Sequence, residues 1–595
     1  MEKVATVNFK KFLPINLYEA KKVGWDQLDI ILISGDAYID HPSFGIAIIG
    51  RVLESIGFSV GIIPQPNWKN KEDFKVLGKP RLFFGISAGS LDSMVANYSP
   101  NKRPRKEDAY SEGGKTGKRP DRAVLVYSNI VHELYPDVPI ILGGIEASLR
   151  RFSHYDYWED KVRHSILLES RAKIIVYGMG EKQIIEIAKA LAENKDWYEI
   201  YQIPGIVFSL SEKEIDKFLK DKDYISLPSF EEVSTNKEAY FEFQNLLIKG
   251  IKERKTLVQK DGKRYVIQNP PPIYTTFDVD FIYSLPFTRK PHPSYKEEIP
   301  ALKTVITSIT SHRGCFGSCS FCSLNLHQGW QVIERSEKSI LEEVKRLLSH
   351  PMFRGTISDI GGPTSNMYGI RCKIHKIPGS CSKRDCLFPD ICPYLEVDFS
   401  RQLNLFKKVK NISKVKHLFI ASGIRHDLAL KDPEYIRKII EEGYVGGQLS
   451  TAPEHVKDHV LEIMRKPKFE VYEKFVEIFE KEIKRQKKEF YLIPYFISAH
   501  PGSTIEDAWD LAIYVKGLGH YLEQIQDYTP LPLTSASCSF YTEYHPFRKE
   551  KIYVAKTYEE RKLQRALVQY RDKKNREFLL RNRSKIHFPL ETLFK

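Results

Sequence analysis

The sequence has few cysteines, no low-complexity tract and no long apolar run. Eight cysteines in 595 residues exclude a disulfide scaffold, which is short and cysteine-dense. Apolar runs such as Ile30–Ile33 and Ile46–Ile49 fall far below the roughly 20 residues that cross a bilayer. No membrane span is expected. The opening MEKVATVNFKKFLP lacks the apolar core of a signal peptide. A reduced, soluble, cytoplasmic protein follows, in which clustered cysteines point to metal or catalysis rather than crosslinks. With 42% apolar and 28% charged residues, the composition is that of a globular protein and excludes a disordered or collagen-like chain. What the chain does have is basic charge. Of its formal net +15, +12 sits in residues 101–122 and 541–595. The excess points to an acidic partner, nucleic acid before a membrane surface.

The length predicts two or three large domains. Over residues 1–270, short apolar stretches alternate with helical ones: Leu28–Ser34, Phe58–Ile63, Arg81–Ile86, Val138–Leu142 and Ile174–Tyr177 read as strands, Ile46–Ile56 and Lys237–Val258 as helices. That alternation predicts a parallel sheet covered by helices. Gly143-Gly144 and Gly178-Met179-Gly180 end two strands, where such sheets bind ligands; they serve either close backbone approach or a tight turn. Residues 101–122 read as a long exposed basic loop. The Pro-rich stretch 271–300 reads as a linker. Residues 301–540 repeat the alternation, with strands at Lys303–Ser311, Thr356–Ile360, His417–Ser422, Gly446–Thr451, Glu489–Ser498 and Tyr521–Tyr528. Six strands with helices between them fit a partial or full βα barrel, whose active site lies at the carboxyl ends of its strands. In the basic tail 541–595, Leu563, Leu567 and Tyr570 share one face of an amphipathic helix.

Cys315, Cys319 and Cys322 form C-x3-C-x2-C just after the first strand of the second domain. Three thiolates on one glycine-bearing loop can ligate three irons of a [4Fe–4S] cube and leave the fourth open to a substrate, as catalytic zinc keeps an open position. A structural zinc site is the alternative, with His312 or His327 as its fourth ligand; zinc sites usually use two paired hooks, which this spacing lacks.

C-x3-C-x-Phe-C after the first strand of a βα barrel resembles the signature of radical S-adenosylmethionine (SAM) enzymes. The resemblance implies that the open iron takes the amino and carboxylate groups of SAM. It further implies that an electron cleaves SAM to a 5′-deoxyadenosyl radical that abstracts hydrogen from a substrate, and that Phe321 lies near the adenine. Gly361 and Gly362 occupy the place of a Gly-Gly-Glu motif, with Pro363 where the Glu stands. Ser422 and Arg425 follow the third strand, Gln448 and Ser450 lie at the fourth, and His500 opens a turn like Pro-Gly-Glu-Thr after the fifth. These eight positions (Phe321, Gly361, Gly362, Ser422, Arg425, Gln448, Ser450 and His500) are the SAM-contact candidates. Five longer strings narrow the match: GDAYIDHPSFG (Gly35–Gly45), GGIEASLRRFSHYDYW (Gly143–Trp158), TSHRGCFGSCSFCS (Thr310–Ser323), GGPTSNMYG (Gly361–Gly369) and QDYTPLP (Gln526–Pro532). They closely resemble the YgiQ-type (UPF0313) radical SAM family over nearly the whole chain. The fold implied is α/β: a Rossmann-like N-terminal domain, a radical SAM partial (βα)6 TIM-type barrel with a cysteine-rich insertion at 366–395, and a basic helical tail. The partners implied are SAM and an external flavodoxin- or ferredoxin-like electron donor.

Cys372, Cys381, Cys386 and Cys392 form a second group, C-x8-C-x4-C-x5-C. Four thiolates close a zinc site or ligate an auxiliary iron–sulfur cluster; a redox-active or merely packed set is the other reading. Cys538 stands alone and reads as packed. The first domain resembles cobalamin-binding modules, whose ligand pattern is Asp-x-His-x-x-Gly. Here Asp40 and His41 are adjacent, and cobalamin is not expected. The rival reading is a nucleic-acid-binding or RNA-modifying protein with structural metal, docking RNA through residues 101–122 and 541–595.

Overall fold

A computed structural model describes residues 12–594 except 520, 521, 523 and 524. Residues 1–11 of the opening segment, residues 521, 523 and 524 of the sixth expected strand, and Lys595 lie outside the described residues. The chain divides into two compact units. One runs to Ile306 and takes in Leu326–Gln328; the other comprises Thr307–Asn325 and the chain from Gly329 on.

The first unit holds a nine-stranded sheet. Its strands are β1 (Ile30–Ser34), β2 (Val60–Pro64), β3 (Phe83–Ser87), β4 (Ile140–Leu142), β5 (Ile174–Val176), β6 (Ile206–Ser211), β7 (Tyr224–Leu227), β8 (Thr256–Asp261) and β9 (Arg264–Gln268). Their order is β7-β8-β9-β6-β5-β4-β3-β1-β2, and the five from β5 to β2 run parallel. β1 is buried along its whole length, as expected of a strand covered on both faces. The order β2-β1-β3-β4-β5 is the flavodoxin-like one, with its switch point between β1 and β3.

Three expectations for this unit need correction. The basic loop 101–122 is not wholly exposed: Arg119 is buried and pairs with Asp36 at 2.8 Å and Asp108 at 3.2 Å. Those two carboxylates hold it inside, while Lys102, Arg103, Arg105 and Lys106 stay in solvent. The Pro-rich stretch 271–300 is not a bare linker. It carries a helix, Thr276–Ser284, opened by a capping box between Thr275 and Asp278, and it belongs to the first unit. The helix expected to reach Val258 ends at Glu253. Arg254 there is left-handed, and β8 follows.

In the second unit, β10 (Ser308–Thr310) pairs parallel with β12 (Asp359–Gly361), and β11 (Thr356–Ile357) with β13 (His417–Leu418). β11 and β12 form one run broken at Ser358. A parallel bridge joins Ile424 to Thr451 in β14 (Gln448–Glu454), which pairs with β15 (Tyr491–Ser498), and β15 with β16 (Ile525–Asp527). Six parallel runs in chain order make a partial (βα)6 barrel. Helices α1 (Glu337–Leu347), α2 (Ser400–Lys410), α3 (Pro433–Glu441), α4 (Phe469–Arg485) and α5 (Ile505–Gly517) lie between them. The first strand is shorter than expected because Pro300, well suited to a first helical turn, opens a helix over Pro300–Val305.

The C-terminal segment is not a loose tail. Helix α6 (Tyr558–Val568) buries Leu563, Ala566 and Leu567 against Ala508, Trp509 and Ala512 of α5, with Leu579, Ile586 and Leu590 in the same cluster. The apolar face legible in the sequence covers the barrel's last helix. Among the described residues, no helix is long and apolar enough to cross a membrane.

Candidate functional site at the cysteine loop

The cysteine triplet sits on the loop after β10, beyond the carboxyl end of the first barrel strand. Gly314 opens the loop at φ +79°, where a Cβ would stand 1.9 Å from the Gln331 carbonyl; only glycine fits. Asn325 Nδ2 donates to the carbonyls of Cys315 (3.0 Å) and Gly317 (2.7 Å). Ser320 Oγ donates to the Ile463 carbonyl at 2.7 Å. The loop backbone is therefore held from both sides. All three cysteines are half-buried free thiols. Burial, with the neighbouring Cys319 adding to it, pushes Cys315 up to about 11 and Cys322 up to about 12. A cation or metal is needed to make them thiolates at neutral pH.

Cations are at hand. The Arg425 NH1 group lies 3.2 Å from where a Cβ on Gly317 would stand. Arg425 is buried and grips Asp427 through Nε (3.0 Å) and NH2 (2.6 Å). Burial works to raise the Asp427 pKa, but the guanidinium overrides it and holds the carboxyl down to about 2. Asn366, in the GGPTSNMYG string, accepts from the Arg425 N–H and donates to its carbonyl, both at 2.9 Å. Lys466 Nζ lies 3.6 Å from Glu454, both buried.

Gly361 and Gly362 end β12. A Cβ on Gly362 would stand 2.6 Å from His312 Nε2 and 2.7 Å from its carbonyl. Asp359, partly buried beside them, accepts from the N–H groups of Ala421 (2.8 Å) and Ser422 (3.1 Å) and from Ser422 Oγ (3.1 Å). Ser422 is thereby tied to the end of the second strand. Ser450 is packed beside Gly423, its carbonyl accepting from the Ile424 N–H at 3.2 Å. Phe321 meets the His500 ring edge-on at 5.9 Å. His500 is buried, its Nδ1 donates to the Pro501 carbonyl at 2.8 Å, and its Nε2 has no hydrogen-bond partner. Burial pushes its pKa down to about 4, so the ring is neutral with an acceptor unused.

One candidate is misplaced. Gln448 is the exposed first residue of β14, opposite Tyr491, at the amino end of a strand whose carboxyl end is Glu454. The alternation of a strand and about 3.3 Å per residue put it roughly 20 Å from that end. Glu454, Asp427, Asp359 and Lys466 were not among the candidates. Asp427 had a signal, two residues after Arg425; the others are brought in by the barrel.

The second cysteine group lies in the insertion after β12. Cys372, Cys381 and Cys392 are half-buried and Cys386 is buried. Two sulfurs accept backbone N–H groups, Cys372 from His375 at 3.4 Å and Cys386 from Gly379 at 3.3 Å. Burial pushes Cys386 up to about 11, and the other three cysteines add to it. The insertion also reaches the triplet loop: Asp385 accepts from Ser318 Oγ and pairs with Arg465. Arg465 lies between the rings of Phe388 and Phe547, 4.9 and 4.4 Å from their centroids. As the side chains stand, no group of three or more His, Cys, Asp or Glu among the described residues closes round a metal ion. The fit to a cluster is one of placement and donor chemistry: three half-buried thiols on one braced loop beside a buried guanidinium.

In the first unit, Asp40 is paired with buried Arg51 at 2.7 Å. His41 accepts from the Ser43 N–H at 3.0 Å and meets Arg289 NH1 at 2.9 Å. Both residues of the altered cobalamin pattern are engaged inside the domain.

Comparison with known proteins gives matches along the chain. Residues 12–308 match a family described as Radical SAM N-terminal, 309–515 the Radical SAM superfamily, and 523–585 a domain of unknown function, DUF3362. A UPF0313 protein of Methanocella arvoryzae is 50% identical, covering 94% of this chain and 92% of its own. One from Clostridium botulinum is 47% identical, over 94% and 87%. Among solved structures, the radical SAM methyltransferase TsrM of Kitasatospora setae, solved with cobalamin and a [4Fe–4S] cluster, aligns at a TM-score of 0.48 and 14% identity, covering 86% of this chain and 78% of that one.

Proposed function

Because the chain belongs to the UPF0313 family of radical SAM proteins, an enzyme family whose cofactors are a [4Fe–4S] cluster and SAM, we propose that Cys315, Cys319 and Cys322 hold the cluster and that the barrel residues around them bind SAM. When bound, the cluster supplies the electron for reductive cleavage of SAM, the source of the hydrogen-abstracting radical. The observation that carries this reading is the triplet's braced, half-buried loop beyond the first barrel strand, with Arg425 beside it.

The chain's own residues have separable tasks. Arg425 offsets the negative charge of the thiolates, and Asp427 and Asn366 fix its position. Gly361 and Gly362 offer backbone to SAM in a place where a side chain would strike Ser422 or His312. Ser422 and Ser450 line the same end of the barrel. Phe321 presents a ring to the adenine, and His500 Nε2 accepts a hydrogen bond from the cofactor. Gln448 has no part. The second cysteine group takes an auxiliary iron–sulfur cluster or zinc; its two N–H···S bonds support thiolate ligation in either case. The engagement of Asp40 and His41 supports leaving out a histidine-ligated cobalamin. The eight free cysteines support a reducing cytoplasm, where a flavodoxin- or ferredoxin-like protein would supply electrons. Exposed cations at Lys102, Arg103, Arg105, Lys106, Lys573, Lys574 and Arg576 support docking of an acidic partner, with RNA the candidate.

The test is anaerobic. With reductant and SAM, the purified protein should carry iron and sulfide and release 5′-deoxyadenosine. Cys319→Ala should lose both. A Cys319→Ala protein that keeps its iron and its SAM cleavage overturns the assignment. Zinc and cobalt measured in the same sample decide the second group's occupant and the cobalamin reading.

A further inference from the structure

Three buried arginines in the first unit come with carboxylates. Arg51 has Asp40, Arg119 has Asp36 and Asp108, and Arg150 has Asp92. Arg151 is as deeply buried and pairs with no acid. Its neighbours are neutral: Nε donates to Gln268 Oε1 at 2.6 Å, and NH1 donates to the Ser148 carbonyl and, at 3.5 Å, to that of Leu326. The Tyr177 ring centroid lies 5.0 Å from the guanidinium carbon. NH2 donates to nothing. Burial of this charge pushes its pKa down to about 10.

Gln268 continues the pattern. A guanidinium can only donate, so the Gln268 oxygen must face Arg151 and its amino group is directed elsewhere. That Nε2 is buried and makes no hydrogen bond of normal geometry; the group beside it is the Tyr177 hydroxyl, which donates to the Asn269 carbonyl at 2.7 Å. Two neighbouring donors, one of them charged, therefore lack a well-made hydrogen bond inside the protein. Buried donors are seldom left so, and a buried unpaired charge is costly.

The place is on the carboxyl edge of the parallel strands, the side of such sheets on which ligands bind, next to the switch point between β1 and β3 rather than at it. Tyr177 and Gly178 follow β5 at its carboxyl end, and Gly143 follows β4. Gly143 has room: a Cβ there would meet only the Val176 carbonyl, at 3.7 Å. We propose that Arg151 and Gln268 bind an oxyanion, the carboxylate or phosphate group of a ligand held at the carboxyl ends of β4 and β5. The guanidinium supplies charge and a planar donor edge, the geometry that suits both groups, and the amide supplies the second donor.

Calorimetric titration of the anaerobically purified full-length protein tests this, with inorganic phosphate and acetate as probes at constant ionic strength. Wild type should bind at least one of them saturably, one per chain. Arg151→Met should weaken that binding at least tenfold and Gln268→Leu severalfold, with iron content unchanged in both. In anion-free buffer Arg151→Met should melt no lower than wild type, because it removes an unmatched charge. A preference for phosphate or for acetate identifies which group the ligand carries. Absence of saturable binding to wild type, or equal binding by Arg151→Met, overturns the proposal. Should Arg151→Met not fold, equal binding by Gln268→Leu and wild type overturns it.

Discussion

Ser318 Oγ donates a 2.7 Å hydrogen bond to Asp385, and so ties the loop of the first three cysteines to the insertion carrying the other four. Ser318 lies between Cys315 and Cys319, and Asp385 immediately precedes Cys386. The same carboxylate pairs with Arg465, which is half-buried between two phenylalanines. Asp385→Asn should leave Arg465 without its ion partner. A hydrogen bond to a charged group is worth about 1.5–3 kcal/mol, so the variant should melt lower by an equivalent amount. Because the loop is loosened as well, its cluster signal by electron paramagnetic resonance should broaden. Ser318→Ala should share the spectral change with a smaller loss of stability. An unchanged spectrum in both would break the link between the two loops.

The Arg425–Asp427 pair gives a pH dependence. Asp427 has a folded pKa of about 2 against an ordinary 3.8. Its pairing is therefore fully present above about pH 4 and is lost as pH falls toward 2. Asp427→Asn removes one partner of a buried pair and should cost about 3–5 kcal/mol, more than any loss at the exposed Arg437–Glu434 pair, since surface pairs are worth about 0–1 kcal/mol. Urea unfolding at pH 7 compares the two. Equal small losses would mean that Arg425 is not held by Asp427.

Buried neutral histidines act over a higher window. Burial holds His426 and His455 at about 3 and His500 at about 4, against an ordinary 6.5. Each depressed value contributes stability above about pH 6.5 that declines as the unfolded chain takes up protons and is lost toward pH 4 and below. The melting temperature should fall steeply from pH 6.5 to 4. His455→Gln should flatten that slope by about one proton's share, near 1.4 kcal/mol per pH unit. A melting temperature flat across this range would show that these rings are not held neutral.

Gly362 tests the backbone role given to the Gly-Gly pair. Gly362→Ala would put a Cβ 2.7 Å from a carbonyl, a contact that no side-chain rotation relieves. Gly361→Ala would meet Ser422 Oγ and Asp359 Oδ2, side-chain ends that can shift together at the cost of their hydrogen bond. The first variant should lose SAM-dependent product at least tenfold more than the second, with cluster content retained. Similar losses in both would assign the effect to general strain.

Much of this organisation is legible in the residues themselves. The C-x3-C-x2-C spacing places the triplet, and short continuous apolar runs place the sheet strands. Two kinds of feature are not. Ion partners distant in sequence, such as Arg119 with Asp36 or Asp385 with Arg465, depend on the tertiary fold, so a charged loop reads as exposed when one of its arginines is buried. Strand direction and bounds also matter: Gln448 sits in a recognisable strand, yet at its amino end, because the run extends to Glu454. A composition of prolines reads as a linker until Thr275 and Asp278 are seen to cap a helix.

The C-terminal segment carries the last prediction. Its charge invites a deletion after Phe547 as a test of RNA docking, but that deletion would also remove Leu563, Leu567 and Phe588, the last stacked on Trp509 with ring centroids 4.9 Å apart. Leu567→Ala alone should cost about 2–5 kcal/mol, the range for truncating a buried leucine. Any loss of RNA binding on deletion would then report unfolding. Reversing Lys573 and Lys574 to glutamate leaves the buried face intact, and the melting temperature should stay close to that of wild type. RNA binding measured by electrophoretic shift should weaken and lose part of its salt dependence, since fewer phosphate contacts release fewer counterions. Unchanged affinity in a folded variant would remove this segment from nucleic-acid docking and leave its role as the cover of α5.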